Sequence, residues 1–207
     1  MQTLGLSSKP QPTDNIFKRL FWPSIENQYD VDLLGQQGFY VCVVVGGLSL
    51  LLLTVIGNPI IALFTATVFF LAGCGVRERS VAAATMAFTL YLTNFLGGFV
   101  IGTIGNPLVQ LFVLMLLLAN VRATLMSRKW SEQPKDETDF DVSERSTSGV
   151  MDRFANRLPA KIWPVGRYCF FPLAGLLLLL TVVGLIAMKR NAEAASHAPV
   201  TQNFEMK

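Results

Sequence analysis

Three long windows of this chain carry no Asp, Glu, Lys, Arg or His: Gly38 to Val76, Ser80 to Val121, and Tyr168 to Met188. A hydrocarbon core of roughly 30 Å takes about 20 apolar residues per helix. The first two windows are long enough for two passes each, and the third for one. The sequence therefore predicts an all-α, polytopic integral membrane protein with five transmembrane helices. Composition agrees, since 15% of the residues are charged, against about 25% in soluble domains. The first apolar run begins only near Gly38, after a polar and partly acidic stretch. A cleaved signal peptide places its apolar segment much nearer the start, so this run reads as a retained span.

Two passes within one window require a turn, and each long window supplies one midway: Ile56-Gly57-Asn58-Pro59 and Ile104-Gly105-Asn106-Pro107. Glycine accepts the left-handed conformation that ends a helix. Asparagine caps the next helix, and proline suits its first position, where a missing N–H costs nothing. Gly57 is thus expected to close the first helix and Asn58-Pro59 to open the second. Gly105 and Asn106-Pro107 do the same between the third and fourth. The likeness extends beyond the turns, because IGNPIIALF and IGNPLVQLF share six of nine residues. A duplicated helical hairpin explains this, with both copies starting on the same side of the membrane. Convergence of two turns on the same capping residues is the alternative.

Lys and Arg accumulate on the cytoplasmic side of membrane proteins. With the N-terminus inside, all of the 17 basic residues except Lys189, Arg190 and Lys207 fall on the cytoplasmic side. Both IGNP turns then lie outside. Trp22, Trp130 and Trp163 fall on the predicted cytoplasmic flank, where such rings favour the headgroup zone. Two flanking stretches, around Ile16–Ile25 and Val150–Ile162, have apolar residues on one helical face with Lys and Arg beside them. They read as interfacial helices on an anionic leaflet, with docking on the ends of the spans as the other option. Between them, SEQPKDETDFDVSERSTSG is too polar to order itself.

The resulting partition is 1–37, a cytoplasmic segment with an interfacial helix, followed by 38–122, a four-helix region turning at 56–59 and 104–107. Then come 123–166, a cytoplasmic linker, disordered and then amphipathic; 167–188, the fifth span; and 189–207, a disordered tail. The membrane expected is the plasma membrane.

Ionisable residues inside a membrane mark proton relays and ion paths, and none is expected in any span here. Cys42, Cys74 and Cys169 are far apart and His197 sits in the polar tail, so no metal site, cofactor or catalytic arrangement is expected. The basic residues flank lipid-length helices, which gives nucleic-acid binding no support. The third span alone is rich in polar residues. Thr85, Thr89, Thr93 and Gly97 form one stripe, and Asn94, Gly98 and Gly102 its neighbour. Small residues at this spacing let helices approach, and Asn or Thr bonds add about 0.6 kcal/mol each. The expectation is that this helix packs at the centre of the bundle, against Gly46-Gly47 and Ala62/Ala66. The alternative is that Thr89, Tyr91, Thr93 and Asn94 line a path for a neutral solute.

The function expected is that of a structural or accessory membrane protein, not an enzyme, acting through the lipid bilayer, other membrane subunits or a homo-oligomer. A small transporter or channel for a neutral solute is the alternative. Single cysteines at Asn58, Asn106 and Glu78, in a background without native cysteines, test the topology. An impermeant thiol reagent should label Asn58→Cys and Asn106→Cys from outside and spare Glu78→Cys. The reverse pattern rejects the orientation.

Overall fold

The computed structural model describes residues 25, 28–101, 106–131 and 150–196. Among these there are five helices and no strand: α1 (Gln28–Val55), α2 (Pro59–Arg77), α3 (Val81–Ile101), α4 (Pro107–Ser131) and α5 (Val150–Ser196). Each contains a stretch long and apolar enough to cross a membrane. The first interfacial helix expected around Ile16 and the acidic linker from Glu132 to Gly149 lie outside the described residues.

The turn at Gly57 follows from its backbone. Asn58 N–H donates to the Leu53 carbonyl at 2.9 Å and Gly57 N–H to the Thr54 carbonyl at 3.0 Å. This paired closure needs a left-handed residue, and Gly57 supplies it with φ +93. Asn58 and Pro59 then open α2, with the Asn58 carbonyl accepting from Ala62 N–H at 3.0 Å. The Asn58 side chain makes no cap bond. At the second turn Asn106 does cap with its side chain, since Leu108 N–H donates to Asn106 Oδ1 at 3.1 Å. Pro107 opens α4, and Gly105 lies outside the described residues.

α1 packs on α2 and α4, α3 on α2, α4 and α5, and α2 also on α5. Two ends of the bundle can be told apart. The charged end holds the starts of α1 and α3, the ends of α2 and α4, and the first half of α5. The other end holds the IGNP turns. Burial concentrates toward the charged end, where every residue from Leu71 to Arg77 of α2 is buried. The residues of the first turn, from Val55 to Ile61, are all exposed.

The central helix is therefore α2, not α3 as the sequence predicts. Small side chains are the reason. A methyl group at Gly73 would lie 3.2 Å from the Phe39 carbonyl oxygen, and one at Gly46 would lie 3.2 Å from that of Ala66. On its other side, a methyl at Gly75 would overlap Ala83 of α3 and the Trp163 ring of α5. Gly46 and Ala66 thus pack on each other, while Gly47 meets nothing within 4 Å.

α5 also departs from expectation. It is one helix of 47 residues, about 70 Å long at roughly 1.5 Å per residue. The boundaries expected at 166/167 and 188/189 are not breaks in it. Pro159, Pro164 and Pro172 lie within the helix, and each forfeits a backbone bond. Burial of Ala155, Pro159, Phe170 and Ala174 offsets that loss. The amphipathic first half is docked on the other helices, with Phe154 and Phe39 ring centroids 5.9 Å apart. Beyond Met188, the alanine-rich NAEAAS stretch extends the helix to Ser196, consistent with the high helix propensity of alanine.

These contacts set an expected outcome for glycine substitutions. Gly75→Leu should cost about 1–3 kcal/mol through overpacking and lower the unfolding temperature in detergent. Gly47→Leu should leave it unchanged or slightly raised. Equal shifts in the two variants would show that α2 is not packed this tightly.

Candidate functional site

The strongest polar cluster lies at the charged end. Arg77 is the last residue of α2, and it is only 3% exposed. A buried guanidinium is tolerated when its donors and its charge are matched. Here Nη1 donates to the Asp32 carbonyl at 2.6 Å, and Nε donates to Asn156 Oδ1 at 3.1 Å. Nη2 donates to the same amide oxygen and lies 3.6 Å from the Asp32 carboxylate. Its position at a helix C-terminus adds a favourable dipole. One side chain thus ties α1, α2 and α5 together.

Asp32 is shared. Arg79 Nη2 donates to its Oδ1 at 3.0 Å. Arg79 stands in the left-handed region with φ 58, where glycine is the usual occupant. The turn around it repeats the first: Ser80 N–H donates to the Gly75 carbonyl at 2.9 Å and Arg79 N–H to the Val76 carbonyl at 3.0 Å. Ser80 then caps α3, its Oγ accepting from Ala83 N–H at 3.3 Å. A left-handed non-glycine residue costs about 1–2 kcal/mol, and the ion pair with Asp32 holds it there.

Aromatic rings pack further along the same helices. Phe39 packs on Phe70 with centroids 6.5 Å apart, and Trp163 on Phe170 at 5.7 Å. Arg167 lies over the Tyr168 ring at 4.8 Å. Further basic side chains at this end are Arg122, Arg128, Lys129, Arg157 and Lys161, against the acids Asp30, Asp32 and Glu78. Two hollows open among them. One, of about 500 Å³, is lined by Phe154, Arg157, Leu158, Lys161 and Ile162 of α5 alone. The other, of about 410 Å³, lies between α3 and α4 and is lined by Arg79, Val81, Ala82, Ser127 and Arg128.

The residues singled out in the third span do not form a site together. Thr89 and Asn94 are exposed, while Tyr91, Thr93 and Gly98 are half-buried. Gly102 lies outside the described residues. Hydroxyls of Thr85, Thr89 and Thr93 donate to carbonyls in the preceding turn of their own helix, at 2.8 to 3.0 Å. Such back-bonding satisfies them without a neighbour. Tyr91 packs its ring against the core. Gly97 makes the close approach, since a methyl there would lie 2.7 Å from Leu185 Cδ2 of α5.

Sequence reasoning passed over Asn120 of α4, which is 1% exposed. Its Nδ2 donates to the Leu116 carbonyl at 2.8 Å, and its Oδ1 has no partner among the described residues. It fills the notch left by Gly38, where a methyl would overlap it. The signal available was an asparagine near the end of an uncharged span, within reach of a glycine on another helix. Cys42 and Cys74 are buried and Cys169 is exposed, all as free thiols. Among the described residues no three His, Cys, Asp or Glu side chains gather as a metal site would require.

The fold and its charged clasp define a helical, membrane-embedded bundle. No protein-family model, curated protein or solved structure matches this chain.

A double-mutant cycle checks the clasp. Breaking a buried ion pair by removing one partner costs about 3–5 kcal/mol, so Arg77→Leu should lower stability by that order. Asn156→Ala should cost about 1.5–3 kcal/mol, the range for a hydrogen bond to a charged group. Combined, the two changes should cost clearly less than their sum. Additive losses would mean that Arg77 and Asn156 act independently.

Proposed function

We propose that this chain is a non-catalytic accessory component of a membrane, acting through contacts with lipid and with other membrane subunits. The observation that supports it best is the clasp on Arg77. Alternating-access transport rocks one group of helices against another. A buried guanidinium bonded to α1 and α5 at once opposes such rocking, because either movement strands a charge. The basic residues around the clasp suit an anionic leaflet, where each Lys or Arg near the surface is worth about 1 kcal/mol. On this reading the N-terminus faces the cytoplasm, the membrane is the plasma membrane, and the two hairpins descend from one duplicated unit. The exposed leucines of the spans, such as Leu51, Leu63 and Leu179, then face acyl chains or the helices of a partner.

One observation favours the second reading, a path for a neutral solute. Ala83, Ala87, Leu90, Asn94 and Gly97 follow steps of four and three, so they share a face of α3. Asn94 alone among them is exposed, and its side chain has no hydrogen-bond partner among the described residues. A polar amide is therefore presented on the packing side of a helix.

Reconstituted vesicles separate the two. The accessory reading expects no protein-dependent flux of small neutral solutes, partners or lipid retained through mild-detergent purification, and stability nearly unchanged in Asn94→Leu, since the exposed amide makes no interhelical bond to lose. Selective flux through the wild type that vanishes in a well-folded Asn94→Leu variant would replace the first reading with the second.

A further inference from the structure

We propose that the hollow between the start of α3 and the end of α4 binds the phosphate of an anionic lipid, an assignment that rests on the charged end meeting headgroups. Its lining combines two guanidinium groups, Arg79 and Arg128, with the Ser127 side chain, and includes no acidic residue. This donor set matches phosphate oxygens.

Arg79 is held from behind. Its Nη2 is committed to Asp32, and Nε is buried without a hydrogen-bond partner. Its remaining guanidinium donors have no partner among the described residues. Asp32 also faces Arg77 at 3.6 Å. One carboxylate is thus shared between two guanidinium groups. Val81 and Ala82 are the first residues of α3, where the helix dipole adds partial positive charge and unpaired N–H groups. Guanidinium, hydroxyl and helix start therefore converge on one concave surface.

The surroundings favour a lipid over a free anion. The hollow lies where the uncharged windows end, at Ser80 and Val121, which is the depth of headgroups. Along the same faces, Ala82 and Thr85 of α3 and Leu125 of α4 are exposed, giving acyl chains a surface to follow. The larger hollow on α5 lacks this convergence, because a single helix lines it.

The test uses the full-length protein in phosphatidylcholine nanodiscs, with phosphatidic acid titrated in and retained lipid counted by native mass spectrometry. Wild-type protein should retain one phosphatidic acid per chain and unfold at a higher temperature when it does. Loss of one charge-assisted contact, worth about 1.5–3 kcal/mol, should weaken retention by about tenfold or more in Arg128→Gln. Arg79→Gln should weaken it similarly. Arg128 is outside the Arg77 clasp, so its variant decides the matter if Arg79→Gln fails to fold. The paired change Arg157→Gln with Lys161→Gln, on the other hollow, should bind like the wild type. Equal weakening by that pair would mean that the basic end as a whole attracts lipid, and would overturn the site. Unchanged retention in Arg128→Gln, or equal retention of phosphatidylcholine, would overturn it too. Stabilisation by inorganic phosphate in pure phosphatidylcholine discs, matching that of phosphatidic acid, would reassign the hollow to a free anion. Solute flux through the protein would defeat the accessory reading and leave this site standing, so the two failures are distinguishable.

Discussion

A buried guanidinium tolerates few arrangements. Arg77 is removed from water at the end of α2, and its charge and donors must be matched by whatever packs there. The Asp32 main chain and carboxylate come from α1, and the Asn156 amide from α5. Both partners are far from Arg77 in sequence. Their meeting sets the height of α1 and of α5 against α2, and with it the level at which Trp163 reaches Gly75. Asp32 also anchors Arg79, which fixes the entry of α3. Four of the five helices are therefore referred to one ion cluster.

The apolar packing follows from that anchoring. In a bilayer, helices gain little from burying apolar surface, so association relies on close backbone approach and interhelical bonds. The run Ala72-Gly73-Cys74-Gly75 gives α2 small side chains on several faces, and α1, α3 and α5 all use them. Between α1 and α4 the corresponding device is Gly38 against Asn120. Toward the IGNP turns close approaches are fewer, Gly46 on Ala66 and Gly97 on Leu185, and the residues from Val55 to Ile61 are exposed. Tightness at the charged end and exposure at the other are consistent with a protein that presents surfaces to lipid or partners rather than enclosing a conduit.

α5 connects these themes. As a span it packs Leu185 on Gly97, and as an extension it brings Asn156 to Arg77 and Phe154 to Phe39. Its length exceeds a ~30 Å hydrocarbon core by more than a factor of two. Arg157 and Lys161 are therefore carried beyond the apolar part of the bundle on the same rigid element that closes the clasp.

Much of this was legible in the residues. Uncharged windows, two of them divided by IGNP, determine five helices, because a bilayer demands long apolar runs and a turn needs glycine, then a cap, then a proline that tolerates its lost N–H. Gly57, Asn106 and Pro107 act as that chemistry requires. The sequence did not reveal which helix lies at the centre. Threonines and glycines on α3 looked like a packing surface, but each threonine hydroxyl bonds its own helix, and period alone does not say whether a stripe has a neighbour. Nor did it show that the amphipathic stretch before the last span continues into it, since an apolar face with Lys and Arg beside it reads as a separate helix lying on the leaflet. Burial of Ala155, Pro159, Phe170 and Ala174 offsets the backbone bonds lost at the prolines. Arg77 and Asp32 each stand just outside an uncharged window, where they read as solvated flanks. Tertiary structure alone decides that they meet, because charges distant in the chain become partners only when packed helices bring them to the same level.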